Sequence, residues 1–97
     1  MALKNSTSEK VIEAHLVAQV KARGGKCIKI LSTIENGLPD RLCLLPGGVT
    51  FFVEVKSTGE RLRKLQELKR REIERTGHSV FVADSFEQIE NILKIYV

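Results

Sequence analysis

Ninety-seven residues, 42% hydrophobic and 29% charged, are enough for one domain with a modest core and exclude a disordered or low-complexity segment. A formal net charge of +4 favours an anionic partner without requiring one, and the shortage of aromatics (four Phe, one Tyr, no Trp) argues against a protein that stacks unpaired bases. No apolar run approaches the ~18 residues of a membrane span, and no signal peptide, internal repeat or linker is visible, so residues 1–97 read as a single cytoplasmic domain. Cys27 and Cys43 stand in apolar runs without metal-ligand spacing and read as buried free thiols of a reducing compartment.

Residues 1–5 form a loose lead, and Ser6 with Glu9 has the spacing of a capping box that opens a helix to about residue 23, where Gly24-Gly25 stops it. At 100° per residue Ile12, Leu16, Val17 and Val20 make an apolar stripe roughly 140° wide. Glu9 and Glu13 fall inside that arc, so burying the stripe turns a carboxylate toward the sheet, which is costly unless the acid meets a cation or sits at the stripe's wet edge. The edge suits Glu9, on the first turn where the helix dipole favours an acid; Glu13, in mid-helix, is the functional candidate.

Residues 26–31 alternate as a first strand, with Cys27, Lys29 and Leu31 on one side and Ile28 and Ile30 on the other. A polar connection over 32–38 leads to an apolar run at 42–45, a Pro46-Gly47-Gly48 turn and a second apolar run at 49–55, which together spell a hairpin. After the loop 57–60, residues 61–76 form a helix with few apolar positions (Leu62, Leu65, Leu68, Ile73) and many basic ones. Residues 79–83 give a buried strand, and Asp84-Ser85 with Gln88 caps a last helix that turns Phe86, Ile89, Ile92 and Leu93 inward. The order is αβββαβα: an antiparallel meander, then a right-handed helical crossover to a parallel fourth strand, giving a four-stranded mixed α/β sheet flanked by helices.

The hairpin carries the chemistry. Folding it back brings Asp40, which opens one strand, beside Glu54 and Lys56, which close the other, and the period of two puts Glu54 and Lys56 on one face, opposite Val53 and Val55. Taken singly, Asp40 is a turn residue and Glu54-x-Lys56 a surface ion pair. Together, at the end of very apolar strands, they fit metal-assisted phosphodiester hydrolysis. Asp40, Glu54 and the Val55 carbonyl are the natural ligands, and Lys56 is suited to position or deprotonate the attacking water. Glu13 would hold a second ion or its water, and Gln66 would orient that water or touch the scissile phosphate. Lys29, Arg61, Arg63, Lys64, Lys69 and Arg70 are candidates for phosphate contacts, against the alternative of a solvated charged face. His15 and His78 lack metal-ligand companions and read as surface or cap residues.

The linked set resembles the PD-(D/E)xK nucleases and, within them, the virus-type replication-repair nuclease (VRR-NUC) domain. The resemblance spans nearly the whole chain, from Ile12-Glu13-x-x-Leu16 through Gly24-Gly25 and Lys29 to Gly37-Leu38-Pro39-Asp40-Arg41-Leu42. It continues through Leu45-Pro46-Gly47-Gly48, Phe52-Val53-Glu54-Val55-Lys56, Leu62, Gln66 and Gly77. It implies a restriction-endonuclease-like fold and a nuclease dependent on Mg²⁺ or Mn²⁺. The metal site maps to Glu13, Asp40, Glu54 and the Val55 carbonyl, the catalytic lysine to Lys56 and the motif glutamine to Gln66. Short stand-alone members from phages and bacteria imply a homodimer acting on branched DNA such as a four-way (Holliday) junction, in a bacterial or phage-infected cell. The apolar end 92–97 is a faint sign of dimerisation, and two-fold symmetry would match that of a junction. A silent basic DNA-binding module of the same fold, or a nuclease for flaps, nicks or RNA, are the rival expectations.

Overall fold

Ser8 opens the first helix, its hydroxyl accepting from the backbone N–H of Val11, and α1 runs Glu9–Ala22. The computed structural model describes residues 7–31 and 33–96. The lead and the expected cap Ser6 therefore lie outside the described residues, as does Val97. At its other end α1 stops where the N–H groups of Gly24 and Gly25 turn back to the carbonyls of Lys21 and Val20, with Gly24 at φ 78°, a conformation that a side chain would strain.

The remaining elements are β1 (Lys26–Lys29), β2 (Arg41–Leu45), β3 (Val49–Val55), α2 (Lys64–Arg75), β4 (Ser79–Ala83) and α3 (Phe86–Lys94). The sheet order is β1-β2-β3-β4, antiparallel at the first two pairings and parallel between β3 and β4, which is the αβββαβα architecture expected. β1 ends two residues short of expectation, although the Ile30 N–H still reaches the Asp40 carbonyl at 2.8 Å. α2 starts about three residues late because Arg63 is extended, at φ -78° and ψ 164°.

Register decides which side chains meet. Partners across a rung share a face and neighbours alternate. Cys27 opposes Cys43, Lys29 opposes Arg41, and Arg41 and Cys43 oppose Val53 and Phe51, so these lie on the face covered by α1 and α3. Leu42 and Phe52 oppose each other on the α2 side. Asp40 and Glu54 occupy the next rung out, on that same side.

The core sits under α1 and α3, where Ile12, Leu16, Val20, Phe51, Val53, Val55, Ile89 and Leu93 are fully buried. Phe51 stacks on Tyr96 with ring centroids 4.9 Å apart, and Phe81 meets both edge-on. Ile92 and Leu93 are buried within the protomer and Tyr96 is partly so, whereas Ile95 is left exposed. One expectation is corrected: β4 is only half covered, as an edge strand should be. α2, whose apolar positions are few as expected, has no buried residue, with Leu65 and Leu68 exposed. It meets the sheet at β4, beside a groove of about 440 Å³ lined by Leu38, Leu42, Phe52 and Ile73. It also meets the β1–β2 connection, where Gly37, at φ 86°, comes so close that a Cβ would lie 2.7 Å from Leu65.

Candidate active site

The end of the hairpin gathers three of the expected residues. Asp40 continues the β2 line by one residue, and its carboxylate Oδ2 accepts from the Val55 N–H at 2.7 Å. A strand residue's N–H and C=O point to the same edge, so the Val55 carbonyl faces the same side as Asp40. Glu54 and Lys56 are almost wholly buried, at 4% and 7% exposure, with Lys56 Nζ 3.6 Å from Glu54 Oε2. From the first turn of α2, Gln66 Nε2 donates to Glu54 Oε2 at 2.8 Å while its Oε1 accepts from the Arg63 N–H at 2.9 Å. Gln66 thereby caps the helix and fixes Glu54 at once. A cleft of about 350 Å³, lined in part by Gly37, Asp40, Arg63 and Gln66, opens beside the group.

The electrostatics are strained in one direction. Burial, then the charge of Asp40, pushes the Glu54 carboxyl up to about 7 against the pull of Lys56. Burial also raises Asp40, although the Val55 hydrogen bond opposes it. Burial raises Glu9 as well, followed by the charge of Asp40. Burial is the leading cause at all three acids, and the mutual repulsion of carboxylates adds to it.

Glu13 is placed differently from expectation. Its carboxylate is 2.7 Å from Arg41 Nε and 3.5 Å from Lys29 Nζ, on the α1 face of the sheet. Register parity is the reason: Arg41 and Lys29 point toward α1, whereas Asp40 and Glu54 point toward α2. The Glu13 charge still raises Asp40, but the helix acid that Asp40 pushes up and Lys56 pulls down is Glu9, one turn nearer the open end of the sheet. Lys29 is near the site, as expected, but as an ion-pair partner. Sequence reasoning missed Arg41. Its signal was available: an arginine next to Asp40 in an alternating strand must face the core side and so needs an acid there.

Of the basic candidates, Lys69 is taken up by Glu35 at 2.8 Å, and Arg70 by Glu74 at 3.3 Å. Arg61, Arg63 and Lys64 make no ion pair among the described residues and are exposed. His15 bonds Glu90 at 3.0 Å and stacks on Phe86, joining α1 to α3, and His78 bonds Thr76. Among the described residues no three His, Cys, Asp or Glu side chains form a ready-made metal cage, and no helix is long and apolar enough to cross a membrane. Cys43 is buried as expected; Cys27 is only partly so.

A mixed sheet with an Asp, a Glu and a Lys converging at one end defines the PD-(D/E)xK class. No protein-family model matches the sequence. The chain is 42% identical over 77 residues to "Putative nuclease p44" of Acyrthosiphon pisum secondary endosymbiont phage 1, covering 79% of this chain and 83% of that protein. It also superposes on a solved VRR_NUC domain with a TM-score of 0.84 and 27% identity, over 94% of this chain and all of the other. The chain belongs to the VRR-NUC family of nuclease domains.

Proposed function

We propose that the protein is a divalent-metal-dependent, structure-specific DNA endonuclease that hydrolyses phosphodiester bonds, resembling a Holliday-junction resolvase and working as a homodimer in the cytoplasm. The observation that carries this reading is the burial of Glu54 and Lys56 side by side, with Glu54 raised to about 7. The donor set, all oxygen, suits magnesium, with manganese as substitute: the Asp40 and Glu54 carboxylates and the Val55 carbonyl would hold the ion. Bound between Asp40, Glu54 and the Val55 carbonyl, the ion would offset charge developing on the scissile phosphate.

The chain's own groups divide the remaining work. Gln66 keeps the Glu54 carboxylate oriented. Lys56, held in the wall of the site beside Glu54, would order the attacking water and offset the charge that develops on the phosphate. Glu9 supplies the helix carboxylate, and Glu13 serves to hold Arg41. Exposed Arg61, Arg63 and Lys64 at the start of α2 give phosphates a landing beside the cleft, a contact that positions a duplex without reading its bases. Homodimerisation has support from β1, an edge strand next to exposed Ile28, Leu31 and Ile34.

The test is incubation of the protein with labelled four-way junction, flap, linear duplex and RNA in Mg²⁺, Mn²⁺ or EDTA, with sedimentation run alongside. Metal-dependent junction cleavage by a dimer is expected. Cleavage of flaps or RNA instead would move the substrate, and binding with no cleavage in either metal would leave a silent DNA-binding module.

A further inference from the structure

Cys27 and Cys43 are the two nucleophilic side chains that the nuclease chemistry does not use. They stand directly opposite each other on adjacent antiparallel strands, with Sγ atoms 3.8 Å apart. The type of rung matters. Ile30 donates its N–H to the Asp40 carbonyl, which makes 30 and 40 a hydrogen-bonded pair. Counting back along the alternation makes 28 and 42 another, and leaves 27 and 43 as a non-hydrogen-bonded pair. At such a rung the Cα atoms are only about 4.5 Å apart and side chains lean together, a spacing within the range that a disulfide bridges. Rotation of the two side chains, without movement of the strands, brings the sulfurs to bonding distance.

The two thiols also differ in access. Cys43 is fully buried, whereas Cys27 is partly exposed beside Arg41, whose Nη1 reaches the Cys27 carbonyl at 3.5 Å. The contact with Cys43 holds the Cys27 thiol below its ordinary range against the opposing effect of burial, and the Arg41 charge adds to it. Cys27, the sulfur that solvent reaches beside a guanidinium, is the one equipped to attack, and buried Cys43 the one to resolve.

We propose that Cys27 and Cys43 are a reversible oxidation site that a hydroperoxide converts to an intramolecular disulfide. The Cys27 thiolate attacks a peroxide oxygen, the O–O bond breaks, and hydroxide leaves and takes up a proton as water, giving a sulfenic acid. The Cys43 sulfur then attacks the Cys27 sulfur and loses its proton; the S–O bond breaks and the hydroxyl departs as a second water. Two electrons pass from the thiols to the peroxide, and a dithiol returns them on reduction. Transient disulfides of this kind are the sort that a reducing compartment tolerates. The bond ties β1 to β2, the strands that carry Lys29 and Arg41, and it does not depend on the nuclease reading.

The reduced full-length chain is treated with equimolar hydrogen peroxide, denatured, alkylated and digested. The expected result is a monomer lighter by two hydrogens, with a Cys27–Cys43 cross-linked peptide that dithiothreitol abolishes, and a Tm about 10 °C above that of the reduced form. The variant Cys43→Ala should stop at a sulfenic acid on Cys27 that dimedone traps, and Cys27→Ser should leave Cys43 unmodified. Full alkylation of both thiols after peroxide, a cross-link found only between chains, or sulfinic acid on Cys27 with no cross-link would each overturn the proposal.

Discussion

The two faces of the sheet end treat charge in opposite ways. On the α1 face Glu13 has Arg41 and Lys29 within 3.5 Å, two cations for one acid. On the α2 face Asp40 and Glu54 lie on one rung with a single lysine, 3.6 Å from Glu54, and the carboxyls are raised. Charged residues one apart along the strand (Asp40 and Arg41) or one turn apart in α1 (Glu9 and Glu13) thus end in different environments because alternation and helical pitch send them to different sides. The contrast teaches where to look for function in a small fold: charge balanced by its neighbours belongs to the frame, while charge left unbalanced in a buried place waits for something from outside.

The largest break in this comparison should come from Lys56→Ala, which is expected to lower single-turnover cleavage of a labelled junction by about a thousandfold with binding retained. Loss of binding in parallel would make Lys56 a phosphate contact. Next comes pH. A proton on Glu54 competes with the ion, so apparent Mg²⁺ affinity, measured by titration calorimetry, should fall about tenfold per pH unit below 7. The metal-free protein should show the opposite sign. Glu54 has a folded pKa above its ordinary 4.5, so the folded state holds that proton more tightly and stability declines as pH rises from about 4.5 to 7. Thermal melts with and without Mg²⁺ would reveal the two slopes.

Smaller effects sharpen the division between faces. Gln66→Ala frees the Glu54 carboxylate and should weaken Mg²⁺ binding about tenfold. The helix acids separate most clearly. Glu9→Gln should reduce cleavage while leaving the Tm intact, whereas Glu13→Gln should cost about 2 kcal/mol of stability by stranding Arg41, with cleavage by the folded fraction nearly unchanged. Chemical denaturation and rate assays on both variants decide it, and the reverse pattern would return the helix role to Glu13.

Much of this molecule was legible in its order of residues because the informative signals were local. Alternation over 49–55 and the Pro46-Gly47-Gly48 turn specify the hairpin, and a hairpin necessarily brings its open ends together, so Asp40, Glu54 and Lys56 followed from spacing alone. What was not legible depends on how separate elements cross. The pitch and placement of α1 over the sheet decide whether Glu9 or Glu13 passes its end, and no periodicity encodes that. α2 reads as a basic helix with few apolar positions, and nothing in that pattern says that it is seated by the close approach of Gly37 and an ion pair to Glu35, with Leu65 and Leu68 in solvent. Gln66 was expected at the water or the phosphate, and its capping of α2 could not be seen until the start of that helix was fixed by Arg63.

The hydrogen bond from the Val55 N–H to Asp40 makes a side chain stand in for a missing main-chain rung. On the proposed function Asp40 would hold two posts, one in the reaction and one in the architecture, and a substitution there would vacate both. An inactive Asp40 variant would mix lost chemistry with a loosened strand end, and the two losses would be inseparable in a single assay. Among the described residues the Lys56 side chain makes no hydrogen bond to the main chain, which makes it the cleaner place to silence the site when an inactive but intact protein is wanted for trapping a substrate.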